Sequence, residues 1–286
     1  MLVFVVELLC EVMYHMFGAI YGDIIGSYYE VHCTKSYDFP LRKECHFTDD
    51  SVLIVAVCKA ILNDDSDIHS YFEIKRRSKE YAAQYRQYYS WFPNAGFGEM
   101  FSAWAKDPHS RHGKSYANGA AMRVIPIAYA YQSLDQVLLQ VKASCIPTHN
   151  HHEAIIAAKA VAVAVYLSRF GESKAYIKSY IEKNYQYHLS IPLSDIKKTH
   201  TFNSRASYSV PPAIIAFLES TDYESAIRNA VSLGGDADTQ ACIAGGIAEA
   251  YYHKIPEEIE KFCRMKIDSS IKAIVNAFSE KYVNKK

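Results

Sequence analysis

Residues 151–171 read HHEAIIAAKAVAVAVYLSRFG. A helix over this stretch carries apolar side chains on nearly every face, whereas a surface helix needs only one apolar stripe. Such a helix is satisfied only when other helices surround it, so the rest of the chain has to supply that shell. Asn150 is placed to cap its start and Gly171 to stop it, because glycine takes the left-handed conformation that follows many helix ends. Candidate shell segments are present. SKAYIKSYIEKN (173–184) and PEEIEKFCRMKIDSSIKAIVNAFSEKY (256–282) show one-sided periodicity. DYESAIRNAVSLGG (222–235) begins on a capping aspartate and ends on a glycine doublet, and PPAIIAFLES (211–220) opens with prolines suited to a first turn. Strand signals are scarce, since β-branched runs such as SVLIVAV (51–57) fit helices equally well. The pattern predicts an all-α fold of ten or more helices. No internal repeat or Pro/Gly/Ser linker divides it, so residues 16–286 are expected to form one domain after an N-terminal extension, residues 1–15.

That extension, MLVFVVELLCEVMYH, is apolar, yet it lacks the positive charge of a secretory leader, and Glu7 and Glu11 interrupt it. It reads as an extra helix or a disordered lead-in, and no membrane association is expected. Lysine plus arginine and aspartate plus glutamate both number 31, so no net charge points to a nucleic-acid partner. Seven scattered cysteines with no C-x-x-C spacing argue against a disulfide framework or zinc knuckle and fit a reducing, cytoplasmic setting.

Glycine placement narrows the search for a site. Eleven of the twelve glycines fall in the windows 18–26, 96–98, 113–119 and 234–246, where backbone is expected to approach a ligand or another helix closely. In GAIYGDIIGSYYE (18–30), Asp23, Gly26 and Glu30 share one helical face; a solvated stripe beside a close helix crossing accounts for this as well. HFTDDSVLIVAV puts Thr48, Asp49 and Asp50 before an apolar helix. One of them suffices for an N-cap, and adjacent carboxylates beside a core repel each other unless a cation intervenes. GGDADTQA repeats the arrangement with Asp236, Asp238 and Thr239. All-oxygen donors favour hard ions such as Mg²⁺ or Mn²⁺, and the two clusters together have enough acids for two ions about 3.5–4 Å apart. The loop HGKSYANGAAMRVIPIA lacks P-loop spacing. With Ser115, Tyr116, Asn118 and Gly119 opening a helix that kinks near Pro126, it reads either as an anion cradle or as an ordinary connection. In PTHNHHEA, His149, His151 and His152 are poorly spaced for zinc, although His149 can donate a hydrogen bond to a phosphate or sugar.

In order along the chain, GAIYGDIIGSYYE, FTDDS, AGFG, SYANGAAMR, THNHHEA, SVPPAIIAFLES and GGDADTQACIAGGIAEA resemble the ADP-ribosylglycohydrolase family, relatives of the enzyme that reactivates ADP-ribosylated dinitrogenase reductase. The resemblance implies an orthogonal all-α bundle with a binuclear magnesium centre in a central cleft. Carried over motif by motif, it makes Thr48, Asp49, Asp50, Asp236, Asp238 and Thr239 metal ligands, and gives Glu30, with Asp49 and Asp238, the catalytic role. Gly96, Gly98, Ser115, Tyr116, Asn118 and His149 become contacts to the diphosphate and ribose. The expected activity is magnesium-dependent hydrolysis of an ADP-ribosyl bond on a modified protein or small conjugate, by a monomer. A non-catalytic ADP-ribose-binding or structural relative is the alternative, and a phosphohydrolase using the same centre a third. Ala117 departs from the family's S-Y-G-N loop. A left-handed requirement at that position would strain or reshape the loop.

Overall fold

A computed structural model describes residues 16–110 and 113–284; the expected extension 1–15 lies outside the described residues. Among them are fourteen α-helices and no strand. In order these are α1 (Gly18–Val31), α2 (Asp49–Asn63), α3 (Tyr71–Trp91), α4 (Glu99–Lys106), α5 (Ile125–Ala130), α6 (Leu134–Cys145) and α7 (His152–Arg169). Then follow α8 (Lys174–Tyr185), α9 (Leu193–Thr199), α10 (Ala206–Leu218), α11 (Tyr223–Ser232), α12 (Ala237–Tyr252), α13 (Glu257–Arg264) and α14 (Ser269–Tyr282). None of the described helices is long and apolar enough to cross a membrane.

The apolar helix α7 is buried over most of its length and packs against α5, α6, α8, α10 and α12. A still more enclosed helix is α12, buried without a break from Ala237 to Ala250. Its closest partner is α1, and the reason is compositional. Gly18, Gly22 and Gly26 recur every four residues and face Gly245, Ala241 and Ala237 in antiparallel order. A β-carbon at Gly22 would stand 2.1 Å from the Ala241 carbonyl oxygen, and one at Gly26 2.4 Å from that of Ala237. No side chain fits there, so the two backbones lie in direct contact. At the far end of the pair the buried Glu249 carboxylate accepts from the backbone N–H of Phe17 (3.0 Å) and Gly18 (2.9 Å), satisfying donors that a helix start leaves open.

Several local expectations need correction. The N-cap of α7 is His151, whose ring accepts from the Glu153 N–H, and not Asn150. Pro211 and Pro212 lie inside α10 instead of opening it. The helix starts earlier because Glu153 accepts from the Ser207 N–H (3.1 Å) while the Arg205 carbonyl receives the N–H groups of Tyr208 and Ser209. Pro126 marks no kink: residues 118–120 form a separate 3-10 turn, and α5 begins with Pro126 in its first turn, where a missing N–H costs nothing. The six described cysteines are unpaired, five of them buried.

Candidate metal centre

The close α1–α12 contact sets Asp23 and Glu30 of α1 beside the first turn of α12. Its Asp236 is the N-cap, reached through Gly234 (φ +70°) and Gly235 (φ +78°), both in the left-handed region that side chains avoid. The start of α2 enters from a third direction. Thr48 caps it, accepting from the Asp50 N–H, and is thus the one of the three residues that serves as N-cap. Its hydroxyl proton is also committed, donated to Asp23 at 2.6 Å. Asp23 accepts further from the Thr48 N–H (2.9 Å), the Ser51 N–H (3.1 Å) and the Ser51 hydroxyl, and thereby ties α1 to the N-terminus of α2.

Two carboxylate groups result. Oxygens of Asp23, Asp50 and Asp238 lie within 4.8 Å of one another, as do oxygens of Glu30, Asp236 and Asp238, so that Asp238 belongs to both. Thr239 donates to Asp50 Oδ2 (3.2 Å), and the Asn118 amide donates to Asp236 Oδ2 (2.7 Å) and Ser209 Oγ (3.0 Å). Among the described residues no lysine or arginine forms an ion pair with any of these acids. Asp50 Oδ1 is buried with no hydrogen-bond partner. Two unit charges 4 Å apart repel by about 4 kcal/mol at an effective dielectric near 20, so such a set stays ionised only if something positive joins it.

The proton affinities say the same. Burial, then the neighbouring carboxylates, pushes Asp49, Asp50 and Asp238 well above the ordinary range. Asp23 is raised by burial against the pull of its four donors. Burial raises Asp236 to about 6, and Glu30, through burial and the charge of Asp238, to about 7. A set of buried oxygens with an orphaned acceptor and two hydroxyls is a good fit for hard divalent ions.

The remaining expected site residues take varied places. Asp49 belongs to neither converging group; its Oδ1 lies 3.6 Å from where a Gly96 β-carbon would stand, and Gly96 has φ +98°. Gly98 precedes α4 with open space around it. Ser115 is buried, its hydroxyl accepting from the Ala117 N–H (3.2 Å). Tyr116 is exposed, its ring 5.8 Å from that of His151 and 5.7 Å from the Arg205 guanidinium. His149 is buried beneath the loop, its Nδ1 2.7 Å from the Thr148 hydroxyl. Ala117 does not need a left-handed backbone: φ −74°, ψ 170° is extended, held by an antiparallel bridge to Arg205. Asp23 and the contact of Asn118 with Asp236 were missed as parts of the acid centre. The Asp23/Glu30 spacing was a partial signal, but the donors that make Asp23 central come from residues 48 and 51.

A cleft of about 750 Å³ elsewhere, lined by Glu153, Tyr187, Asp195, His200 and Tyr208 among others, contains none of these acids. Its Glu153 is paired with Arg205 (2.9 Å) and its Asp195 with Lys198 (2.7 Å), which leaves it no free charge comparable to the acid centre.

Comparison with known proteins decides the family. The family model described as ADP-ribosylglycohydrolase matches residues 11–285. The chain belongs to the ADP-ribosylglycohydrolase family. It is 26% identical to the Homo sapiens ADP-ribosylhydrolase ARH3, with 86% of this chain and 87% of that protein aligned. The Xenopus tropicalis protein of the same name is 25% identical over 83% of this chain and 85% of its own. An uncharacterized Archaeoglobus fulgidus protein is 30% identical over 49% of this chain and 50% of its own. A solved structure titled ADP-ribosylglycohydrolase-related protein complex superposes with a TM-score of 0.70, covering 93% of this chain and 95% of that one at 22% identity. The all-α architecture is thus that of an ADP-ribosylglycohydrolase.

Proposed function

We propose that this chain is a divalent-cation-dependent hydrolase of the glycosidic bond between ADP-ribose and a protein side chain or small molecule. The observation that carries this reading is the pair of carboxylate groups sharing Asp238, built from three separate helices and lacking any basic partner among the described residues. Thr48, Asp49, Asp50, Asp236, Asp238 and Thr239 are the residues that would hold the ions, magnesium by preference for a set of oxygens. Thr48 and Thr239 direct their hydroxyl protons to Asp23 and Asp50; Thr48, which also accepts from the Asp50 N–H, keeps one lone pair and Thr239 keeps both. Asp23, saturated by four donors, orients this set. Divalent ions there would supply charge neutralisation and Lewis-acid binding of ribose oxygens.

The chain's own groups account for the rest. Cleavage at an anomeric carbon develops positive charge on the sugar and needs a proton delivered to the leaving group. Glu30 is partly buried at the edge of the acid centre, and burial, the largest cause of its raised proton affinity, suits it to hold a proton and deliver it. Asn118 holds Asp236 in place from the loop that would receive the diphosphate, and Tyr116 offers an exposed ring beside it. Mass spectrometry on arginine- and serine-ADP-ribosylated peptides, with magnesium or with chelator, tests the reading. It expects ADP-ribose released from at least one of them only with the ion. Release unaffected by chelation contradicts it; binding without release leaves the non-catalytic alternative standing, and liberated phosphate the phosphohydrolase.

A further inference from the structure

Arg123 has no accessible surface, and no carboxylate pairs with it among the described residues. Its guanidinium stacks 4.1 Å from the Tyr85 ring centre, and its Nη2 donates to the Ser144 carbonyl (3.0 Å) and to Thr148 Oγ1 (2.8 Å). Nε and Nη1 are buried without partners. A guanidinium cannot accept a hydrogen bond, so toward Arg123 the threonine oxygen is the acceptor. The other hydrogen-bond neighbour of that oxygen among the described residues is His149 Nδ1 at 2.7 Å, and it is where the Thr148 proton can go. Reversing that bond leaves a buried hydroxyl proton with no acceptor, which folded proteins avoid. Nδ1 therefore accepts, and the ring proton sits on Nε2.

That nitrogen has a purpose-shaped environment. A β-carbon on Gly119 would stand 3.2 Å from Nε2, a tight contact that glycine avoids where the loop lies over the ring. Nε2 has no hydrogen-bond partner among the described residues. Gly119 follows Asn118, whose amide donates to Asp236, so the residue over the ring and the residue bonded to the acid centre are neighbours in one turn. We propose that Arg123 and Thr148 are positioning residues: they lock His149, the ligand contact that the family resemblance implies, in its Nε2–H tautomer, so that the ring can serve only as a donor at Nε2. The tautomer stands on geometry alone; the identity of the ligand rests on the function proposed above. Burial and the nearby Arg123 charge also hold the ring neutral, pushing its proton affinity well below the usual histidine value. A neutral ring with one fixed N–H gives the same hydrogen bond across the physiological pH range.

Long-range ¹H–¹⁵N spectra of the full chain, labelled at histidine, read the tautomer directly. The wild type is expected to show a protonated Nε2 and bare Nδ1 for His149 between pH 5.5 and 8, and ADP-ribose is expected to shift the Nε2–H resonance. Thr148→Val keeps the shape but removes the hydroxyl. It should redistribute the tautomer and weaken ADP-ribose binding by about tenfold, the scale of one hydrogen bond to a charged group, while Thr148→Ser restores both. A protonated Nδ1 in the wild type, weakened binding in Thr148→Val with the tautomer unchanged, or failure of Thr148→Ser to restore overturns the proposal. ADP-ribose that binds without moving Nε2–H removes the donor role. If ADP-ribose does not bind at all, the function reading and the ligand fall together, and the spectrum still decides the tautomer.

Discussion

Stripped of divalent ions, this protein should lose stability as pH rises, and magnesium should cancel the loss. Asp236 sets the scale: it is 5% exposed, and burial moves it from 3.8 to about 6. A folded-state value above the unfolded one means the group favours the fold while protonated. Its contribution is complete below pH 3.8 and disappears as pH climbs through about 6. Two units at 1.36 kcal/mol each give about 3 kcal/mol for this residue. Asp50 and Asp238 act in the same direction, but they share one cluster and do not add independently. Glu30, raised to about 7, extends the window toward neutrality. At pH 5 about half of the Asp236 contribution, roughly 1.4 kcal/mol, is still present. For a chain of this length about 1 kcal/mol moves Tm by roughly 2 °C, so the metal-free protein should melt about 3 °C lower at pH 8 than at pH 5 from this source. Other titrating groups cancel if the magnesium-induced Tm shift is compared between the two pH values by differential scanning calorimetry. The shift should be several degrees larger at pH 8, because the ions need the deprotonated acids. A shift as large or larger at pH 5 refutes the reasoning.

Three further outcomes follow from single residues. Glu30→Gln should lower kcat by about 10²–10⁴ while ADP-ribose affinity, measured by calorimetry, changes little; equal losses in both would take Glu30 out of the chemistry. Gly22→Ala drives a methyl into the Ala241 carbonyl. The expected cost is about 1–3 kcal/mol of stability together with weaker magnesium binding, and a Tm at the wild-type value would show that the α1–α12 contact does not position the acids. Asn118→Ala deprives Asp236 of a 2.7 Å donor. A loss of about 1–3 kcal/mol in the metal-free protein is expected in chemical denaturation, and an unchanged midpoint would contradict the contact.

The sequence showed what depends on local spacing. Helix α7 was legible because its apolar residues leave no face for solvent, and α11 because Asp222 and the glycine doublet bracket it. The TDD and GGDxDT clusters were legible as oxygen-rich helix starts for the same reason. What escaped is long-range. Asp23 looked like half of a surface stripe until its four donors arrived from Thr48 and Ser51, and the bond from the Asn118 amide to Asp236 joins residues 118 positions apart. The prolines of α10 misled because the helix is begun from outside, by Glu153 on another helix. Whether Ala117 needs a left-handed backbone was open because Arg205, whose bridge keeps it extended, lies 88 positions away in the chain (205 minus 117).

The central claim is that the two acid clusters meet around shared divalent ions. Crystals grown with manganese, with anomalous scattering recorded at the metal's edge, test it most directly. The account predicts two peaks about 3.5–4 Å apart, bounded by Asp49, Asp50, Asp236 and Asp238. Peaks elsewhere, or none there at millimolar manganese, would contradict it.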